Sequence, residues 1–295
     1  MKPSQASSEL RRMRELGCTN PQKILELARP LFQDGQLDIS SGETYSILEQ
    51  TAIASLIVGE DELASKCITL VSDKFPHSAR TLVLRGMLLE VQDTSKAMEF
   101  YNSVLKVQES NLPIHKRKIS LLRSTGRMED AVNALAKLAD FFPMDAEIWA
   151  ELVDVYLAMG MYEQAAFAAE EMILLQPLSH FVHARYADIQ FKMGDECGAL
   201  KSYLRSAELC SEQLHSAVGV KTCIDRLRSS KSQKKAALQG IKAGELEKLD
   251  LKWVQKLVEI QRNYQTVDET ALSQDTKQAL AMAKILVGTR NEPYS

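Results

Sequence analysis

AEIWAELVDVYLAMGMYEQAAFAAEEMILLQPLS, residues 146–179, is the stretch whose reading decides the fold. Its alanine Ala165 recurs as Ala97, Ala131 and Ala199, always 34 residues apart. A unit of that length holds two antiparallel helices and two short turns, and one such pair cannot bury both of its apolar faces. Stacked pairs can. A glycine closes the first helix at Gly126, Gly160 and Gly194, where a left-handed residue is needed and glycine supplies it without steric cost. Pro143 and Pro177 end the second helix, because proline lacks the N–H and its ring clashes with the preceding turn. The repeated alanine falls where the two helices cross, and its small side chain lets their axes approach. The expected fold is an all-α solenoid.

The same beat runs outward from this unit. Upstream, Gly59, Ala64 and Pro76 repeat the offsets from a start near Tyr45 with one residue dropped. Before them, residues 22–32 and 4–16 read as an atypical helical cap. Downstream, 212–227 reads as another first helix with Gly219 at a small-residue position, and the polar run Ser229-Ser230-Lys231-Ser232-Gln233-Lys234-Lys235 breaks the array. Beyond it Leu246, Leu249, Trp253, Leu257 and Ile260 step by three and four, as on a helix with one buried face, and 271–287 forms a last helix. Trp149, Leu152, Tyr156, Gly160, Tyr162, Ala165 and Pro177 stand at the spacing of the tetratricopeptide pattern, which the chain therefore resembles. The expected organisation is an N-terminal cap over 1–44, a tetratricopeptide array of about five units over 45–211, and a degenerate repeat with C-terminal capping helices over 212–295.

Composition bounds the function. With 45% hydrophobic and 25% charged residues in 295, the chain can bury a continuous core and is no disordered tether. No apolar run approaches the roughly 18 residues that a membrane span needs. The start Met1-Lys2-Pro3-Ser4-Gln5 has no hydrophobic stretch of a secretory signal, and neither Lys2 nor Asn291-Glu292-Pro293-Tyr294-Ser295 reads as a lipidation motif, so membrane attachment is expected only through proteins. Cys18, Cys67, Cys197, Cys210 and Cys223 are odd in number and make no close pair, which points to reduced thiols.

No catalytic constellation emerges. His180 and His183 lie three apart without a carboxylate or cysteine at ligand spacing, and a chance pair is the better reading than a metal site. Cys197, Cys210 and Cys223 are thirteen apart, unlike a zinc pair, and a buried structural role is expected for each. Glu170 and Glu171 are neighbours on a helix and point apart. No phosphate loop follows a strand. The expectation is no active site, no cofactor and no metal.

Further residues are more specific. Gly59-Glu60-Asp61-Glu62-Leu63-Ala64, Arg85-Gly86-Met87, Lys116-Arg117-Lys118-Ile119, Ala165-Ala166-Phe167 with Glu170-Glu171, Pro177 and Tyr186-Ala187 together resemble subunit 2 of the endoplasmic reticulum membrane protein complex over about 40–203. The resemblance implies a non-catalytic, peripheral scaffold on the cytosolic face of that membrane. It implies contacts with other subunits of the complex, both membrane-embedded and soluble, in support of inserting tail-anchored and multispanning proteins. A tetratricopeptide adaptor of another assembly or of a chaperone system is the alternative.

Charge is segregated along the array. Residues 138–184 hold eight acids, Asp140, Asp145, Glu147, Glu151, Asp154, Glu163, Glu170 and Glu171, and no lysine or arginine. Lys116, Arg117, Lys118, Arg123 and Arg127 precede them. In a tetratricopeptide array places 2, 5, 9 and 12 of each unit face the concavity, here Lys116, Ser120 and Arg123, then Glu147, Ala150 and Asp154, then Phe181, Ala184 and Asp188. With Arg117 and Lys118 these polar and aromatic residues are the expected partner contacts, a basic turn before an acidic one. The carboxylate clamp of chaperone adaptors fits poorly, because its places hold Lys116 and Ser120, then Glu151, then Phe181 and Arg185. The acidic middle also opposes a nucleic acid.

Overall fold

The computed structural model describes residues 3–33, 42–228, 243–265 and 274–288. Among them every regular element is a helix: α1 (Pro3–Glu15), α2 (Pro21–Gln33), α3 (Gly42–Val58), α4 (Asp61–Lys74), α5 (Ala79–Gln92), α6 (Thr94–Val107), α7 (Leu112–Ser124), α8 (Met128–Phe141), α9 (Ala146–Ala158), α10 (Tyr162–Leu175), α11 (His180–Lys192), α12 (Glu196–Leu209), α13 (Leu214–Arg228), α14 (Ala243–Gln265) and α15 (Gln274–Gly288). The chain divides into two compact units, Met1–Ala131 and Val132–Ser295. The polar run 229–235 lies outside the described residues, as do the two ends of the chain.

The repeat works as its spacing requires. Ala64, Ala97, Ala131, Ala165 and Ala199 are all fully buried. Gly59, Gly126, Gly160 and Gly194 take φ between +72° and +89°, the left-handed turn that releases one helix and starts the next. The unit without this glycine solves the turn differently. Asp93 stands extended between α5 and α6, and its carboxylate accepts from the amides of Ser95 and Lys96, so one residue both ends and caps.

In the first unit α1 packs on α2, α3 on α4 and α5 on α6, while α3, α5 and α7 stack on one another. In the second, α9 pairs with α10 and α11 with α12, and α13 receives α14 and α15. Tyrosines tighten this stacking at two points. Tyr101 and Tyr203 are 102 residues apart, three repeats, and both are buried. Each ring occupies the space that a glycine on a neighbouring first helix leaves open. A Cβ on Gly86 would sit 2.2 Å from Tyr101, and one on Gly219 would sit 2.5 Å from Tyr203.

The C-terminal helices are held by apolar area and by charge. Leu246 packs among Tyr203, Ile224 and Leu227, while Leu257 and Ile260 pack with Leu214, Ala217 and Ala283. Between these patches Asp250 is fully buried, with Lys221 Nζ at 3.1 Å and Arg228 Nη1 at 2.7 Å. Sequence periodicity indicates the apolar face but not this ion pair.

Ala165→Leu tests the crossing point. Forcing a larger side chain between α9 and α10 is expected to cost about 1–3 kcal/mol. Because each repeat contacts only its neighbours, amide protection should fall first in α9, α10 and α11 and least in α14. Uniform loss across the second unit would contradict that reading.

Candidate functional site

The expected contact residues lie on α7 in the first unit and on α9 and α11 in the second. On α7, Ile114, Ile119, Leu121 and Leu122 are buried, which leaves Ser120 exposed and Lys116, Arg117, Lys118 and Arg123 half-buried. Asn111 and Asp145 cap α7 and α9 through side-chain oxygens. That fixes the first turn, and Glu147 stands exposed on it. Phe181 is 69% exposed at the start of α11, its ring against His180. Ala184 lies beside Phe181 and Asp188 in the lining of a groove but is nearly covered. It is 3% exposed and contributes to the floor of that groove, with little surface of its own to offer a partner.

The charged residues are already paired with one another. Arg117 reaches back to α5, where its Nε donates to Glu90 at 3.2 Å and its Nη2 makes a second link to the same carboxylate. The Tyr101 hydroxyl donates to Glu90 as well. In the second unit Arg185 on α11 pairs with Asp154 on α9. Asp188 on α11 accepts from the buried Tyr203 hydroxyl and from His215 Nε2 on α13, at 3.0 Å. Arg80 on α5 likewise pairs with Glu49 on α3 at 3.4 Å. Within each unit, neighbouring first helices are thus bridged by an acid on one and a basic side chain on the next.

The electrostatic consequence is local neutralisation. The hydrogen bond to Asp188 raises the His215 pKa above the ordinary imidazole value, against burial, which lowers it. Burial and then the Asp188 charge push the Tyr203 phenol far up, so it stays a donor. A partner that engages Asp154 or Arg117 must replace an internal bond before it gains an external one. Exposed Ser120 and Phe181 carry no such cost from these bridges.

A groove of about 930 Å³ opens in the second unit, with Phe181, Arg185, Asp188, Phe191, His215 and Met282 in its walls. The clamp reading finds no support there, since Arg185 is bound to Asp154 and Phe181 brings an aromatic ring where a carboxylate needs a donor.

The histidines have a structural role that sequence reading missed. His115, Trp149 and His183 occupy the same place in successive repeats, 34 apart. Each ring nitrogen donates to a carbonyl six residues back, Glu109, Pro143 and Pro177, at 2.8, 2.9 and 2.9 Å. These bonds lock the turn between one repeat and the next. The signal was the spacing itself: Trp149 is a tetratricopeptide position, and His183 stands one repeat further on. Among the described residues no group of three or more histidine, cysteine or acidic side chains could hold a metal ion. The five cysteines are thiols and form no disulfide with one another. Burial pushes the Cys67 and Cys223 thiols up to about 12, so they remain protonated, and Cys197 is buried too. Cys210 is only half-buried, because it ends α12 at the start of a turn, and Cys18 is exposed.

The EMC2 TPR-like repeat domain matches residues 67–208. TPR repeat protein oca3 of Schizosaccharomyces pombe is 36% identical over 214 residues, covering 70% of this chain and 76% of that protein. The chain belongs to the EMC2 family. ER membrane protein complex subunit 2-A of Xenopus laevis is 29% identical over 187 residues, 63% of this chain and 63% of that protein, so the match spans a little under two thirds of that relative. Among solved structures, crystalline MamA protein aligns with a TM-score of 0.50 at 16% identity, covering 66% of this chain and 97% of that one. At that identity MamA shows the fold alone, an all-α tetratricopeptide solenoid. Among the described residues no helix is long and apolar enough to cross a membrane.

Proposed function

We propose that this chain is a non-catalytic scaffold subunit of an endoplasmic reticulum membrane protein complex, held at the cytosolic face of that membrane by its protein partners. The observation that carries this reading is family membership, since a relative bears the name ER membrane protein complex subunit 2. In this role the array holds together cytosolic parts of membrane-embedded subunits and a soluble subunit. It thereby supports insertion of tail-anchored and multispanning proteins by positioning, not by chemistry. The cap over 1–44, the array over 45–211 and the helices over 212–295 are the proposed working divisions.

The proposed contacts are Lys116, Lys118, Ser120 and Arg123 on the first unit, with Arg117 steadied by Glu90, and Glu147 and Phe181 on the second. Asp154 and Asp188 contribute from behind their internal pairs. Phe181 is the strongest anchor among them, because an exposed aromatic ring gains most when a partner covers it.

The test is capture from membranes. A tagged full chain should co-purify with integral subunits from detergent-solubilised microsomes and leave the membrane in carbonate while those subunits stay. An exposed ion pair contributes at most about 1 kcal/mol, so Lys116→Glu and Arg123→Glu are combined. The double variant should capture fewer integral subunits at unchanged helical circular dichroism, and unaltered capture would remove these residues from the contact. A stable monomer absent from every membrane complex would favour an adaptor of another assembly instead.

A further inference from the structure

In a stack of antiparallel hairpins every turn from a second helix into the next first helix lies along the same edge. In the second unit two such turns, 142–145 and 176–179, follow α8 and α10. Large apolar side chains stand outward there. Phe141 is 66% exposed, Met144 80%, Leu174 74% and Leu178 75%. Single exposed apolar residues are ordinary. Here Met144 and Leu178 stand on two consecutive turns, with Phe141 and Leu174 in the last turns of the helices that lead into them, and apolar residues grouped in this way mark interaction sites. Met144 and Leu178 are 34 apart and hold the same place in their repeats, so they stand in one row.

The row is also rigid. Trp149 bonds the Pro143 carbonyl under the first turn and His183 bonds the Pro177 carbonyl under the second. A partner therefore meets ordered anchors, and little conformational freedom is lost on binding.

Charge identifies the occupant. Asp140 and Asp145 flank the first turn, and no lysine or arginine occurs between 138 and 184. We propose that this edge docks a lysine- or arginine-rich segment of a partner protein carrying two apolar anchors spaced like Met144 and Leu178. Packed helices lie roughly 8–10 Å apart, and a helical segment with apolar residues at i and i+7 spans ~10.5 Å. Its basic flanks would then face the acids. An anionic lipid surface is repelled by the same charges, and the edge is distinct from the concave contacts proposed above.

The experiment titrates the full chain with a labelled two-heptad peptide that has leucine at i and i+7 and lysine at its other exposed positions. Saturable binding that weakens with salt is expected. Met144→Ser with Leu178→Ser should weaken it at least about tenfold, and because both side chains are largely exposed the fold should be retained. Ile285→Ser, on a 64% exposed residue of α15, should leave binding unchanged. Absence of binding, equal binding by a peptide with glutamate for lysine, an unaffected double variant, or preferential retention on phosphatidylserine vesicles would each overturn the proposal.

Discussion

Asp250→Ala is expected to lower stability by about 3–5 kcal/mol and to free α14 from α13 before the rest of the chain unfolds. The carboxylate is fully buried and meets Lys221 at 3.1 Å and Arg228 at 2.7 Å. The Lys221 side chain is itself only 5% exposed. Removing Asp250 therefore leaves an ammonium group in the interior whose remaining partner is Asp225, one turn along the same helix. The cost comes from that uncompensated charge more than from the lost attraction. It follows that Asp250→Leu combined with Lys221→Met should recover most of the loss, since replacing both members of a buried pair by apolar groups is often neutral. Urea midpoints and amide exchange in α14 distinguish the two variants. If Asp250→Ala unfolds at the parent midpoint, or if the double variant is the weaker, the ion pair is not what fastens α14.

That pair marks a limit of what sequence periodicity makes legible. Ala165 and its equivalents, Gly126, Gly160 and Gly194, and the apolar ladder of α14 were readable because each meets a local demand: a crossing point, a left-handed turn, one buried face. Asp250 sits within that ladder beside Leu249, and nothing local distinguishes a buried acid from a solvated one. The bridges made by the concave charges are hidden for a different reason. Places in the repeat mark Arg117, Asp154 and Asp188 as contacts, yet Glu90 pairs with Arg117 and Asp188 with His215 at a separation of 27, and Asp154 with Arg185 at 31. Those separations are one repeat less two helical turns and one repeat less one, the same face of the neighbouring first helix. The signal was present across repeats and absent within any one helix.

The candidate contacts gain a physical ranking from this. An exposed aromatic such as Phe181 binds by covering area, and it breaks no bond in doing so. Arg117 and Asp154 cannot act that way, because each is a bridge between first helices before it is a surface charge. Their substitution would alter the spacing of the array as well as its charge, so effects on partner capture at these two positions confound shape with contact. Ser120 is the better probe on that account.

The Tyr101 site permits a test in which the sign of an effect reverses. Tyr101→Ala should cost about 3–5 kcal/mol, because a fully buried aromatic ring is removed from between α5, α6 and α7 and the Glu90 carboxylate loses its phenol donor. Gly86→Ala alone should also destabilise, by about 1–3 kcal/mol, since its Cβ would lie 2.2 Å from the Tyr101 ring, and that ring is pinned by Glu90 and cannot step aside. In the Tyr101→Ala background the obstacle is gone. Gly86 is then an ordinary glycine inside a helix, and alanine there should stabilise by up to about 1 kcal/mol through helix propensity. The same substitution would thus harm one background and help the other, and the coupling read from a double-mutant cycle should be of the order of 2–4 kcal/mol. Chemical denaturation of the four proteins measures it. Additive effects would mean that Tyr101 moves freely and that the glycine was never making room for it.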